Sequence, residues 1–378
     1  MSACSDGEVF LGLMSGTSLD GVDGVAVRFG PDEASGLHVL AHEAEPLPPD
    51  LRADLLALNR PGDNELHRAA LAANALARVY AAVVQRLLHA LPASLRRAVR
   101  AVGAHGQTVR HRPGEFDGHG YTVQLLNAAL LAELCGLDVV ADLRSRDVAA
   151  GGQGAPLVPA FHAACFCRPG VWVAVLNVGG MANLSLLGPA GELSGFDCGP
   201  GNVLLDGWCQ RHLGQPYDAQ GRWSSQGRVL PWLLQAMQAE PWLAAPPPKS
   251  TGRELFDTHW LQARLEAGPP CAPVDVQATL CEFTAACAAD HVRRHAPATR
   301  ELIVCGGGAL NADLMARLAA RLPGVVVQDS GRHGLPPLQV EAAAFAWLAR
   351  ARVHGLAGNR PAVTGAAGPR VLGAWYHA

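Results

Sequence analysis

One arrangement occurs twice in this chain and limits what it can become. An apolar run at residues 9–13 enters a glycine-rich turn and leaves as a second apolar run at 25–29. The same order returns at 171–176, through the turn NVGGMAN at 177–183, into 184–187. Each reads as strand, turn, strand. The likeness is one of pattern, not identity. It points to two related lobes, each aiming a turn at a shared cleft.

The first turn, GLMSGTSLDGVDG at 12–24, is longer and richer in hydroxyls than a two-residue hairpin needs. Its glycines admit a ligand close to the backbone, its amides can form an anion nest, and Asp20 and Asp23 can face a hydrated cation. An ordinary turn would also use Gly, Ser and Asp. No Gly-Lys-Ser/Thr closes it, so it is not a Walker A loop. A third glycine turn, CGGGALN at 305–311, follows the strand at 301–305. Three such turns in an α/β chain suggest a bound nucleotide, with Asn311 free to cap the next helix.

The remaining pattern is helical and α/β. Residues 67–91, 277–295, 312–321 and 341–349 read as helices, and 98–104 and 137–141 as buried strands. The 98–104 strand ends at His105-Gly-Gln-Thr108, where open α/β sheets place ligand-binding residues, with Gln107 the substrate candidate. The Gly-rich stretch after Asp142 is expected to carry the chain between lobes. The expected division is 1–142, joined by the C-terminal residues 355–378, and 143–354.

Asp197, in GFDCGPGN at 195–202, follows a strand and precedes glycines that leave room for a substrate. It can act as a general base or as a turn cap. Arg144 can grip a carboxylate bidentately or pair with Asp142 or Asp147. Glu341 can meet a sugar hydroxyl or favour its helix N-terminus. Fifteen histidines show no metal-site spacing, and His105 is the one placed at a turn of interest.

Charge narrows the partners. The net charge is -3 with 17% charged residues, so no basic surface serves a nucleic-acid backbone. No apolar run approaches a membrane span, and the opening residues lack a signal-peptide pattern. Ten scattered cysteines without a disulfide framework fit a reducing cytoplasm.

Taken together, GLMSGTSLDGVD, GQT at 106–108, NVGGMAN, GFDCGPGN, PKSTGRE at 248–254 and CGGGALN resemble the anhydro-N-acetylmuramic acid kinases, across residues 12 to about 349. The resemblance implies the two-lobed actin/hexokinase/heat-shock-70 ATPase fold, an α/β architecture around an ATP cleft. It implies that ATP and water convert 1,6-anhydro-N-acetylmuramic acid to N-acetylmuramic acid 6-phosphate, in murein recycling, with a homodimer expected. The rivals are a sugar kinase of this fold without ring opening and a nucleotide-binding scaffold without turnover. Carried over by motif, Gly16, Thr17, Ser18, Leu19, Asp20, Gly21, Val22 and Asp23 bind ATP, as do Gly179, Gly180, Gly306, Gly307, Gly308 and Asn311. Asp197 is the base that activates water, and Arg144, Glu341 and Gln107 bind the sugar. Mg²⁺ is expected on the phosphates. Met14 stands where many superfamily members have Asp, which leaves Asp20, Asp23 or a carboxylate reached through water for the metal, with Asp20 the candidate taken.

Overall fold

Strand β1 (Glu8–Met14) shows why the opening of the chain is apolar without interruption. Val9, Leu11 and Leu13 join a core with the helix Glu65–Ala90. On the opposite face, Gly12 meets the helix Val340–Val353, where an added Cβ would lie 2.0 Å from the Ala342 carbonyl oxygen. A strand covered on both faces has no polar side to alternate with. Gly103 meets the same helix at Phe345 in the same way.

The computed structural model describes residues 7–16, 18–30, 36–247, 249–252 and 255–378. Two compact units result. The first comprises Met1–Cys165 and Gln339–Ala378, and the second Phe166–Leu338.

In the first unit, β1, β2 (Gly21–Phe29) and β3 (Leu37–Pro46) form an antiparallel meander. β4 (Val99–Ala104) lies parallel to β1. A hairpin of β5 (Gln107–Pro113) and β6 (Gly120–Leu125) follows, and β7 (Val139–Ala141) then pairs parallel to β4. The sheet order is therefore β7-β4-β1-β2-β3, extended beyond β7 by the strand Ala374–Tyr376.

The second unit repeats this plan. β8 (Trp172–Val178), β9 (Met181–Leu187) and β10 (Leu193–Pro200) form the meander. β11 (Thr299–Cys305) lies parallel to β8, and β12 (Val326–Asp329) parallel to β11. The order β10-β9-β8-β11-β12 matches that of the first unit in both sequence and sense. The duplicated α/β architecture expected from the two glycine turns is present. The helix Pro273–His295 supplies the longest buried face of this unit's core.

The units divide elsewhere than the sequence led us to expect. The Gly-rich residues 150–156 are not a crossing. Gln153 N–H donates to Thr364 O at 2.7 Å, and Ala367 N–H to Ala150 O at 2.8 Å, so this segment is stitched into the first unit. The helix Val340–Val353 also belongs there, because Gly12 and Gly103 let it sit directly on β1 and β4. No described helix is long and apolar enough to cross a membrane, and nine cysteines among the described residues are free thiols.

Candidate active site

The first glycine turn is held from behind by its carbonyls. Ser15 O faces His105 Nδ1 at 3.2 Å, and Gly16 O accepts from Gln107 Nε2 at 3.1 Å. Leu19 O accepts from Arg52 Nε at 3.0 Å, and Asp20 O from Leu47 N–H at 3.2 Å. In a trans peptide C=O and N–H point opposite ways, so the amides of Gly16 and Asp20 face away from these partners. That is the sense an anion nest requires. Beneath the turn, Ser15 Oγ contacts Tyr80 OH at 2.9 Å and donates to Gly106 O at 3.0 Å, all out of water. Leu19 takes a left-handed backbone, φ 58°, to close the turn. Val22 and Asp23 are already in β2: Val22 is core, and Asp23 lies 3.4 Å from His42. Thr17 lies outside the described residues.

Three of the polar residues singled out from sequence gather beside this turn. Arg144 donates to His105 Nε2 at 3.1 Å and to Gly154 O at 2.8 Å. His105 therefore carries its proton on Nδ1, toward Ser15 O. Burial first, and then the Arg144 charge, push the imidazole down to about 3, so it is neutral near pH 7. Burial pushes the Arg144 guanidinium down to about 10, while Glu341 and then Asp147 act to hold its charge. The carboxylate of Asp147 is itself committed, to Gly154 N–H, Asn359 Nδ2 and Thr364 Oγ1. Gln107 is buried, and its Oε1 has no hydrogen-bond partner among the described residues.

In the second unit the turn after β8 is held the same way. Gly179 O accepts from Asn202 N–H at 2.8 Å, and Gly180 O from Gly201 N–H at 2.9 Å. Asp197 sits in β10 opposite Asn183, next to a register shift before Gly199. Phe196 and Cys198 on either side are buried in the core, which turns Asp197 to the other face. Its N–H donates to Lys249 O at 3.1 Å, and its Oδ2 accepts from Thr251 N–H at 2.9 Å.

The glycines separate into two kinds. Gly306, at φ 75°, and Gly308 press on Asn177 and Val178, where a Cβ would come within 2.5 Å or less. At Gly16, Gly179, Gly180 and Gly307 nothing lies within 3.4 Å of a Cβ, and none has a positive φ. No described residue outside their immediate chain neighbours excludes a side chain at those four positions. Space kept open along a backbone suits a ligand that approaches it closely. Gly307 and Asn311 also line a cavity of about 300 Å³ with Leu205, Asp206, Tyr217 and Leu310. Apolar walls with a few polar groups suit a nucleoside. Asn311 Oδ1 also caps the helix Ala312–Arg321, accepting from Leu314 N–H at 3.0 Å.

A model of the family described as anhydro-N-acetylmuramic acid kinase matches residues 8–378. The chain belongs to that family. An anhydro-N-acetylmuramic acid kinase from Variovorax paradoxus is 62% identical, over 98% of this chain and 100% of that protein. One from Albidiferax ferrireducens is 58% identical over the same shares. A solved structure, the activator of the 2-hydroxyisocaproyl-CoA dehydratase from Clostridium difficile with bound ADPNP, aligns at 13% identity and a TM-score of 0.46. It covers 89% of this chain and 92% of that one.

Within this kinase-family chain, sequence reasoning missed the cavity walls Leu205, Asp206 and Tyr217. Leu205 and Asp206 lie on the helix Val203–Leu213, and Tyr217 in the turn-rich stretch after it. The signal available was an exposed aromatic within a run of turn residues. Asp20 is exposed, and no group of three or more His, Cys, Asp or Glu able to hold a metal occurs among the described residues.

Proposed function

We propose that this chain is an ATP-dependent kinase that opens 1,6-anhydro-N-acetylmuramic acid with water and phosphorylates its 6-oxygen. The products are N-acetylmuramic acid 6-phosphate and ADP, a step of cell-wall recycling. The observation that carries this reading is 62% identity, along the whole length, to a kinase of that name.

Asp197 accepts a proton from water as the water oxygen bonds to the anomeric carbon and the bond from that carbon to the 6-oxygen breaks. The 6-oxygen then takes the γ-phosphoryl group and ADP leaves. The anomeric carbon develops oxocarbenium character, so the water needs placement and modest base help. Thr251 N–H on Oδ2 supports this role by fixing the carboxylate. Arg144, Glu341 and Gln107 bind the sugar, Gln107 being held beside the first turn by its Nε2 donating to Gly16 O. The first turn, from Gly16 to Asp23, takes the phosphates together with Gly179 and Gly180. The cavity at Gly307 and Asn311 takes the nucleoside, with Gly306 and Gly308 shaping its backbone.

Mg²⁺ neutralises phosphate charge during such a transfer. Asp20, exposed on the turn, suits an ion held mainly by phosphate oxygens and water. We place the protein in the cytoplasm as a homodimer, in keeping with its free thiols.

The test is a product assay by mass spectrometry with the anhydro-sugar, Mg-ATP and ¹⁸O-labelled water. The expected product is a 6-phosphorylated sugar with the label at its anomeric hydroxyl. Asp197→Asn should lower kcat on the order of 10²- to 10⁴-fold. A folded wild type that gives no product sinks the substrate assignment.

A further inference from the structure

One carboxylate accounts for the glycines that follow Arg144. A Cβ at Gly152 would lie 2.2 Å from Asp147 Oδ2. Gly154 takes a left-handed backbone, φ 65°, and a Cβ there would lie 2.8 Å from Val148 Cγ2 and 3.5 Å from Arg144 Cβ. The loop therefore wraps Asp147 at backbone distance and comes back against Arg144.

The Asp147 carboxylate is fully buried and meets three donors. Gly154 N–H reaches Oδ2 at 2.8 Å, while Asn359 Nδ2 and Thr364 Oγ1 reach Oδ1 at 2.6 and 2.8 Å. Thr364 O also accepts from Gln153 N–H at 2.7 Å. The loop is thus bound to the C-terminal segment twice, once directly and once through Asp147. The same Gly154 turns its carbonyl to Arg144. Gly154 O accepts from Nη1 at 2.8 Å, while Nε and Nη2 lie 3.1 and 2.9 Å from His105 Nε2. A guanidinium has five N–H bonds. Among the described residues these contacts leave one on each terminal nitrogen, enough for a bidentate grip on a carboxylate. The charge of Asp147, after that of Glu341, also helps to keep the buried guanidinium protonated.

We propose that Asp147 is a positioning residue for the sugar. It acts through Gly154, whose N–H it holds and whose carbonyl holds Arg144. The two open N–H bonds then keep one direction before the sugar arrives, and less binding energy goes into ordering the arginine. Asn359 and Thr364 fix the carboxylate in turn, which enlists the C-terminal segment in sugar affinity.

This inference rests on Arg144 binding the sugar, and the experiment separates the two. KM for each substrate and kcat/KM for the anhydro-sugar are measured for the enzyme, Asp147→Asn, Arg144→Met and the double variant, with melting curves for each. An amide offers one acceptor oxygen where the carboxylate offers two, so Asn cannot hold the loop and the C-terminal donors together. The expected result for Asp147→Asn is a sugar KM higher on the order of 10-fold, with KM for ATP near the wild-type value. In the Arg144→Met background the same substitution should lower sugar kcat/KM no further, since the side chain it acts through is already gone. An Asp147→Asn variant with the wild-type sugar KM overturns the proposal. So does a rise in both KM values, or an effect that persists undiminished beside Arg144→Met, since either marks a general loosening of the fold. If Asp147→Asn does not fold, Thr364→Val, which removes one donor from the carboxylate, carries the same test at about 3-fold. Arg144→Met with wild-type sugar kcat/KM overturns the sugar contact itself, and with it this inference.

Discussion

The two glycine turns leave equivalent strands of the same sheet order, yet what stands behind them differs. Behind the first lies a buried polar layer: Ser15, Tyr80, His105, Gln107 and, one step further, Arg144. Behind the second the turn carbonyls are met by backbone amides of residues 201 and 202. The first scaffold therefore supports its turn mostly with side chains, with Leu47 N–H on Asp20 O as a main-chain contact, and the second mostly with main chain, with Asn202 Nδ2 donating to Val178 O at 3.1 Å. Side chains diversify without disturbing a sheet, so the first unit is where a copied fold can acquire specificity. The second is left with a cradle built mostly of backbone amides and the single side chain of Asn202.

The comparison is most exposed at the glycines themselves. Gly12→Val should destabilise the protein by about 3 kcal/mol, the upper end of what overpacking usually costs, because the new Cβ falls 2.0 Å from the backbone oxygen of Ala342. Gly180→Val should leave stability within about 0.5 kcal/mol, since nothing lies within 4 Å of its Cβ, while raising KM for ATP. Urea unfolding beside ATP titration reads both. A Gly180 variant that loses stability without losing ATP would show that this turn is structural too.

Acid should find the first unit's polar layer next. Burial holds His105 and His162, both in this unit, down to about 3, whereas an unfolded chain protonates them near 6.5. The unfolded state then binds more protons, so stability present above pH 6.5 drains away as pH falls toward 3. Each histidine contributes a slope of about 1.4 kcal/mol per pH unit. Unfolding midpoints from pH 7.5 to 5.5 should show this, and His162→Leu should flatten it by one histidine's share. An unchanged slope in that variant would place the titration elsewhere.

The smallest effect separates two matched helix caps. Asn127 caps the helix Ala128–Cys135 in the first unit, and Asn311 caps Ala312–Arg321 in the second. Alanine at either should cost about 1 kcal/mol of stability. Only Asn311→Ala, at the cavity, should also raise KM for ATP. Equal KM values in the two variants would detach the cavity from the nucleotide.

Much of this could be read in the sequence, because turns and helices leave local marks. The strand-turn-strand repeat, the cap at Asn311 and the helix over 312–321 depend on neighbours in the chain. The unit boundary does not. A Gly-rich stretch at 150–156 looks like a linker until Asp147, Asn359 and Thr364 are seen holding what surrounds it. The division of labour among Gly306, Gly307 and Gly308 was equally hidden, since it depends on how close Val178 comes. The cavity walls were missed because the stretch after residue 213 has no periodicity to place its side chains.

The helix Val340–Val353, seated on Gly12 and Gly103, sets an order of events during synthesis. The second unit is continuous in the chain, whereas the first needs residues beyond 339. A ribosome adding roughly 5–20 residues per second delivers that helix tens of seconds after β1. In the interval the face of β1 around Phe10 and Gly12 waits without its cover. The half of the molecule translated first is thus the half completed last, and a nascent chain stalled before residue 340 would carry one finished unit behind an apolar sheet face open to chaperones.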